Sequence, residues 1–245
     1  MQKLKRYKDF NSYDLGKCLA LTAMFIDHIG MFFLPDLAIL RVIGRISFPM
    51  FFFLIGYSQK FKNNLDIIIL ALLMIAFDYF FDDRQKTIFI TSYTVLPTII
   101  ISRLILKYSI DWVAQHLLAS FFFLALYMLP ISLFLQCGTL GCAFMIYGYL
   151  IKNNIYNGTS KTFLILTVIS YFYFQHSIDS SVEPIILIVL LGYLSLWMNK
   201  FKLKEYQFQN NCAKLILSTC SRYSLLLYYV HFELFKIMSK IYKFT

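Results

Sequence analysis

The chain has 245 residues, 59% of them hydrophobic and only 15% charged, and its mean hydropathy is +0.65. A soluble domain carries about 25% charged residues, and its surface helices show a one-sided apolar stripe. Here the apolar residues come in long unbroken runs, and the net charge of +10 sits mostly in the short connections between them. In that setting basic residues set topology, so nucleic acid is not an expected partner.

Lipid offers no hydrogen bonds to bare backbone, so such runs must be helices or a closed barrel. Barrel strands alternate apolar and polar residues, and runs such as 67–81 (IIILALLMIAFDYFF) do not. The expected fold is therefore all-α: one transmembrane domain over 1–245, a polytopic integral membrane protein of about nine transmembrane helices.

In chain order, a basic start (Lys3, Lys5, Arg6, Lys8) precedes the first apolar run, 15–34. That run is too long for the core of a signal peptide and holds Asp27 and His28, so it is expected to be an uncleaved first span. The remaining predicted spans are 46–58, 66–81, 88–106, 113–135, 139–151, 162–175, 184–198 and 222–238. Several fall short of the roughly 20 residues needed to cross, so their ends must extend into the connections. Pro130 interrupts the fifth run, which widens the count to eight to ten. With the N-terminus inside, the inner segments hold 13 Lys and Arg and the outer ones 7. This predicts a multi-pass inner (cytoplasmic) membrane protein with a cytoplasmic N-terminus, although Lys236, Lys240 and Lys243 in the tail pull the other way. Cys18, Cys137, Cys142, Cys212 and Cys220 form no CxxC pair and no metal spacing with histidine, so they read as free thiols and no metal is expected.

Ionisable groups inside a span cost about 2.5–3.5 kcal/mol each at the helix centre and therefore need partners, water or a job. The first span holds Asp27 and His28, the third Asp78, and the last His231 and Glu233. Arg41 and Arg45 lie one helical turn apart just before or within the start of the second. Under the orientation above, all of them fall in the outer half of the membrane or at its outer edge. Some have plainer readings. Arg41 and Arg45 can be interfacial anchors with snorkelling stems, and Asp78, beside Asp82, Asp83 and Arg84, reads as a solvated helix end. His231 alone reads as a hydrogen-bonded core histidine; the Asp27–His28 pair is harder to explain that way.

Residues 17–57 read KCLALTAMFIDHIGMFFLPDLAILRVIGRISFPMFFFLIGY. This stretch resembles the opening motif of the TraX family: a lysine, M-x-x-D-H-I-G, then L-R-x-I-G-R-x-x-F-P-x-F-x-F-L-I. Met24, Asp27, His28, Ile29, Gly30, Leu40, Arg41, Gly44, Arg45, Phe48, Pro49 and Phe51 occupy its fixed positions. Gly138 and Gly141 are similar to the family's later glycine-containing helix start, with Cys137 where a tyrosine commonly stands. Residues 221–232 (SRYSLLLYYVHF) resemble its tyrosine-rich final helix, which ends in Tyr-x-x-His, here Tyr228 and His231.

The resemblance implies an acetyl-CoA-dependent acyltransferase within the polytopic type 3 superfamily. Its named activity is N-acetylation of a conjugative pilin, so pilin or another envelope acceptor is an implied partner alongside acyl-CoA and membrane lipids. Acetyl transfer to an amine needs a base for the proton and positive charge or donors for the oxyanion. His28 is the candidate base or nucleophile, since histidine titrates near neutrality. Adjacent helix positions point about 100° apart, so Asp27 is expected to pair with an arginine or another helix and not to orient His28. The expected catalytic set is His28, Asp27 and His231, and the expected substrate-binding set is Arg41, Arg45 and Tyr228. Arg41 or Arg45 would stabilise the oxyanion or grip a coenzyme A phosphate. Two other readings stay open on the residues: a proton-coupled transporter or channel, and a non-catalytic scaffold of a pilus or export apparatus.

Overall fold

The computed structural model describes residues 10–59, 65, 67–70, 72–73, 95–127, 139–155, 157–178, 183–206 and 211–244. Besides the helical residues within 65–73, they include α1 (Ser12–Phe32), α2 (Ala38–Arg45), α3 (Ser47–Ser58), α4 (Val95–Gln115), α5 (Leu117–Leu126), α6 (Leu140–Lys152), α7 (Gly158–Ile178), α8 (Pro184–Lys200), α9 (Asn211–Arg222) and α10 (Ser224–Phe244). Extended pairing among these residues is limited to an isolated antiparallel bridge between Asn11 and Glu205, so the fold is all-α. Most of the predicted third span, with Asp78, lies outside the described residues, as do Pro130, Cys137 and Gly138.

Local chemistry explains the helix ends. Asn11 caps α1: its side-chain oxygen accepts from the backbone N–H groups of Tyr13 (2.9 Å) and Asp14 (3.1 Å), and Asp14 accepts in return from the Asn11 N–H. α1 stops just short of Pro35, which has no N–H to continue it. α2 and α3 are nearly continuous, separated by a turn at Ile46. Pro49 lies four residues after Arg45 and cannot donate to its carbonyl. The Tyr171 hydroxyl of α7 donates to that carbonyl instead, at 2.6 Å.

α3 is buried at every position from 47 to 57, and α6 is buried from Leu140 to Gly148 and again at Leu150. Helices apolar all round belong in the centre of an assembly, and these two pack on each other there. Glycines let their backbones touch. A Cβ at Gly56 would lie 1.9 Å from the Met145 carbonyl oxygen, and one at Gly148 would lie 2.1 Å from that of Phe53.

Contacts also fix the helix directions. Gly16 faces Leu54 of α3 while Gly44 of α2 faces Asp27, so α1 runs antiparallel to the α2–α3 stretch. Lys17 donates to the Ser221 carbonyl, His28 meets His231, and Phe33 packs on Phe235, so α1 and α10 run parallel. The end of α8 returns to the start of α1, where Ser12 N donates to the Lys204 carbonyl and Tyr206 N to that of Phe10.

Two sequence expectations need correction. The predicted connection 107–112 is helical: α4 runs straight through Lys107 and Asp111 and breaks at His116. Charged residues there mark an exposed helical face, Tyr108 being 74% exposed, and not a loop. The predicted loop 199–214 also contains structure, since α9 begins at Asn211 and packs on the start of α1. Elsewhere the helices overrun the apolar cores, as α7 does over 162–175.

Among the described residues two helical stretches, Ser12–Phe32 and Ala38–Ser58, are long and apolar enough to cross a bilayer. They point to association with a membrane. Large apolar side chains such as Leu19, Ile165, Ile185, Ile188 and Leu234 lie exposed on the outer helices.

Candidate active site

A cavity of about 110 Å³ opens among six helices at the end of the bundle where α1 finishes and α3 begins. α1 contributes Asp27 and His28, α2 contributes Arg41 and Arg45, and α10 contributes Tyr228. Its walls are otherwise largely apolar, with Met24, Phe48, Phe51, Ile99 and Phe232 among them. The structure therefore gathers five of the six expected site residues around one space. The sixth, His231, is not a lining residue and sits against His28.

His28 Nδ1 and His231 Nε2 are 2.7 Å apart, and both residues are buried. His231 Nδ1 lies 2.7 Å from the Leu227 carbonyl oxygen, one helical turn back on α10. That oxygen can only accept, so His231 carries its proton on Nδ1 and presents a lone pair at Nε2. The His28 Nδ1–H then donates to His231, which leaves Nε2 as the basic nitrogen of neutral His28. Phe25 stacks on the His231 ring with centroids 3.9 Å apart, holding it in plane for this relay. Two buried imidazoles and a backbone carbonyl thus select one tautomer of a cavity-lining histidine.

Asp27 takes a different course. Its Oδ1 accepts from Arg41 Nη1 at 2.9 Å, and both side chains are only 14% exposed. The neighbouring positions leave α1 in separate directions, Asp27 toward α2 and His28 toward α10. Gly44 makes the first contact feasible, because a Cβ there would lie 2.1 Å from Asp27 Cβ. Glu233 is buried beside Lys236 Nζ (3.9 Å) and does not line the cavity. Among the described residues no cluster of three or more His, Cys, Asp or Glu is placed to hold a metal ion.

Breaking a buried ion pair from one side strands the other charge. Arg41→Gln is therefore expected to lower thermal stability in detergent more than the double variant Asp27→Asn/Arg41→Gln does. The coupling should be about 1–3 kcal/mol. Strictly additive losses in the double-mutant cycle would show that the pair is not coupled.

Sequence reasoning did not single out Tyr171, Gln175 and Ser224, which also line the cavity. The first two sit four residues apart on α7, hence on one face, and both are buried. A glutamine one turn from a tyrosine inside an apolar run was the available signal.

Comparison with known proteins bears on the same segment. Residues 12–64 match the family model described as TraX protein. An uncharacterized protein of Rickettsia prowazekii (strain Madrid E) is 47% identical over 64 residues, an alignment covering 26% of this chain and 26% of that relative. No solved structure matches the chain. The matched residues hold Asp27, His28, Arg41, Arg45 and the α2–α3 junction, so the stretch that is similar to the TraX model is also the one that builds most of the cavity's polar side.

Proposed function

We propose that the chain is a multi-pass membrane acetyltransferase that moves an acetyl group from acetyl-CoA to an acceptor amine or hydroxyl. The observation that carries this reading is the relay from the Leu227 carbonyl through His231, which leaves the basic Nε2 of His28 beside a cavity flanked by Arg41 and Arg45. A neutral acceptor amine attacks the thioester carbonyl, a C–N bond forms and the C–S bond breaks. The proton released by nitrogen passes to His28 Nε2 and from there to the departing thiolate, so the products are an amide and a thiol. The arginines lower the energy of the transient oxyanion. His231 acts as a positioning residue: it orients the His28 ring and spreads the charge that ring acquires.

The match of the first quarter to the TraX family model makes the mature N-terminus of a conjugative pilin the acceptor to try first, with other envelope amines and hydroxyls after it. The protein is placed in reconstituted proteoliposomes with labelled acetyl-CoA and an acceptor peptide. The expected result is protein-dependent label on the peptide. Solute movement without label on any acceptor would replace the enzyme with a transporter.

The same reading has nine spans in the inner membrane with a cytoplasmic N-terminus. The charge bias supports it, as does the parallel course of α1 and α10, because an odd number of crossings returns the last helix parallel to the first. A reporter fused after Thr245 should be active outside the cytoplasm. Activity only inside would overturn the count or the orientation.

A further inference from the structure

A second cavity, of about 320 Å³, lies at the opposite end of α1 from His28. It is lined by α1 from Ser12 to Leu19, by Trp197 and Lys200 of α8, and by the extended segment carrying Lys202, Lys204 and Tyr206. Resting on the acetyltransferase reading but reaching a different site, we infer that this groove binds the phosphorylated adenine nucleotide head of the acyl donor.

Three features support the assignment. The first is charge. Lys200, Lys202 and Lys204 are all exposed and all line one groove, a concentration of positive charge suited to a polyphosphate. The second is rigidity. Ser12 Oγ donates to the Lys202 carbonyl at 2.6 Å and accepts from the Lys204 N–H at 3.0 Å, while Ser12 N donates to the Lys204 carbonyl at 2.9 Å. Both lysines line the groove and are carried by a segment that these bonds clamp to α1. The cost of ordering that segment is met by folding and not by the ligand. The third is the aromatic pair. Trp197 is half-buried and Tyr206 exposed, and both line the groove with π-faces on which a purine can stack. An anionic lipid headgroup would use the same lysines with the aromatics as interfacial anchors, whereas a nucleotide uses the rings inside the groove as a stacking surface, and the titration below separates the two.

The groove and the His28 cavity share no lining residue. From Leu19 to His28 the helix rises roughly 14 Å. A nucleotide held here would sit at the predicted inner face, where cytoplasmic acyl-CoA arrives, with its acyl-bearing arm directed along α1.

The chain has two tryptophans, and Trp112 stacks on His116 away from both cavities. Trp112→Phe therefore leaves Trp197 as the reporter. In nanodiscs of neutral phosphatidylcholine, titration with adenosine 3′,5′-bisphosphate should give a saturable change in Trp197 fluorescence. Replacing the three lysines with alanine should weaken binding by roughly two orders of magnitude, whereas three arginines should preserve it. The inference is overturned if no saturable change occurs, or if the alanine variant binds as the parent does. It is overturned as well if inorganic phosphate competes as effectively as the nucleotide, or if nanodiscs of anionic lipid abolish binding, since either would mark a phosphate or headgroup site. His28→Ala should bind the nucleotide normally. Nucleotide binding without acetyl transfer to any acceptor would remove the enzyme reading and leave this site standing.

Discussion

Replacing His28 with alanine is expected to lower acetyl transfer by roughly 10²–10⁴-fold, the usual worth of a general base, while the protein still inserts and accumulates. Alanine costs nothing to place in a bilayer, and among the described residues His28 holds no ion pair whose loss would strand a charge. His231 provides the discriminating comparison. His231→Ala removes the acceptor for the His28 Nδ1–H and frees the ring to adopt the other tautomer, so activity should also fall. His231→Gln offers a carbonyl oxygen that accepts from the same N–H and should recover part of the loss. Rates measured in proteoliposomes at matched protein content decide the matter. Full activity in His28→Ala would make the histidine pair structural. Equal losses in the alanine and glutamine variants of His231 would remove the tautomer argument while leaving His28 as the base.

The largest stability effects are expected at Gly56 and Gly148. Each faces the backbone of the opposing central helix, and backbone cannot swing aside as a side chain can. Gly56→Ala must push α3 from α6 along the most buried contact in the bundle, so a loss of about 1–3 kcal/mol or more is expected, and Gly56→Leu should fail to accumulate. Gly192, within α8, meets nothing within 4 Å. Gly192→Ala should be neutral or raise stability by about 0.5–1 kcal/mol, because alanine is the better helix former. Thermal unfolding in detergent reads both. If Gly56→Ala melts where Gly192→Ala does, the close approach of α3 and α6 is not what holds the centre together.

Part of this was legible in the sequence because lipid-like runs make exceptions visible. Asp27, His28, Arg41 and Arg45 stood out as charges where charges are costly, and the spacing of Asp27 and His28 on a helix already separated their directions. Pairing was harder to see. That Asp27 meets Arg41 depends on Gly44 drawing α2 onto α1, and that His28 meets His231 depends on the register of helices 203 residues apart. Hydrophobic periodicity carries no such register. Polar groups without charge were passed over for a related reason: Gln175 and Ser224 are common enough in apolar helices to draw no notice. Loops were misread where charge stood in for chain reversal, as at Lys107 and Asp111, which ride on an uninterrupted α4.

The distance in sequence between His28 and His231 has a consequence for biosynthesis. A ribosome delivers α1 long before α10, so His28 is made well ahead of its partner. The clamps that seat α10 beside α1, Lys17 on the Ser221 carbonyl and the Ser221 hydroxyl on Asp14, likewise join segments 204 and 207 residues apart. A nascent chain that has not yet reached α10 has no His231 imidazole to select the tautomer of His28. The setting of the His28 ring is therefore completed only once α10 has been made and has docked against α1.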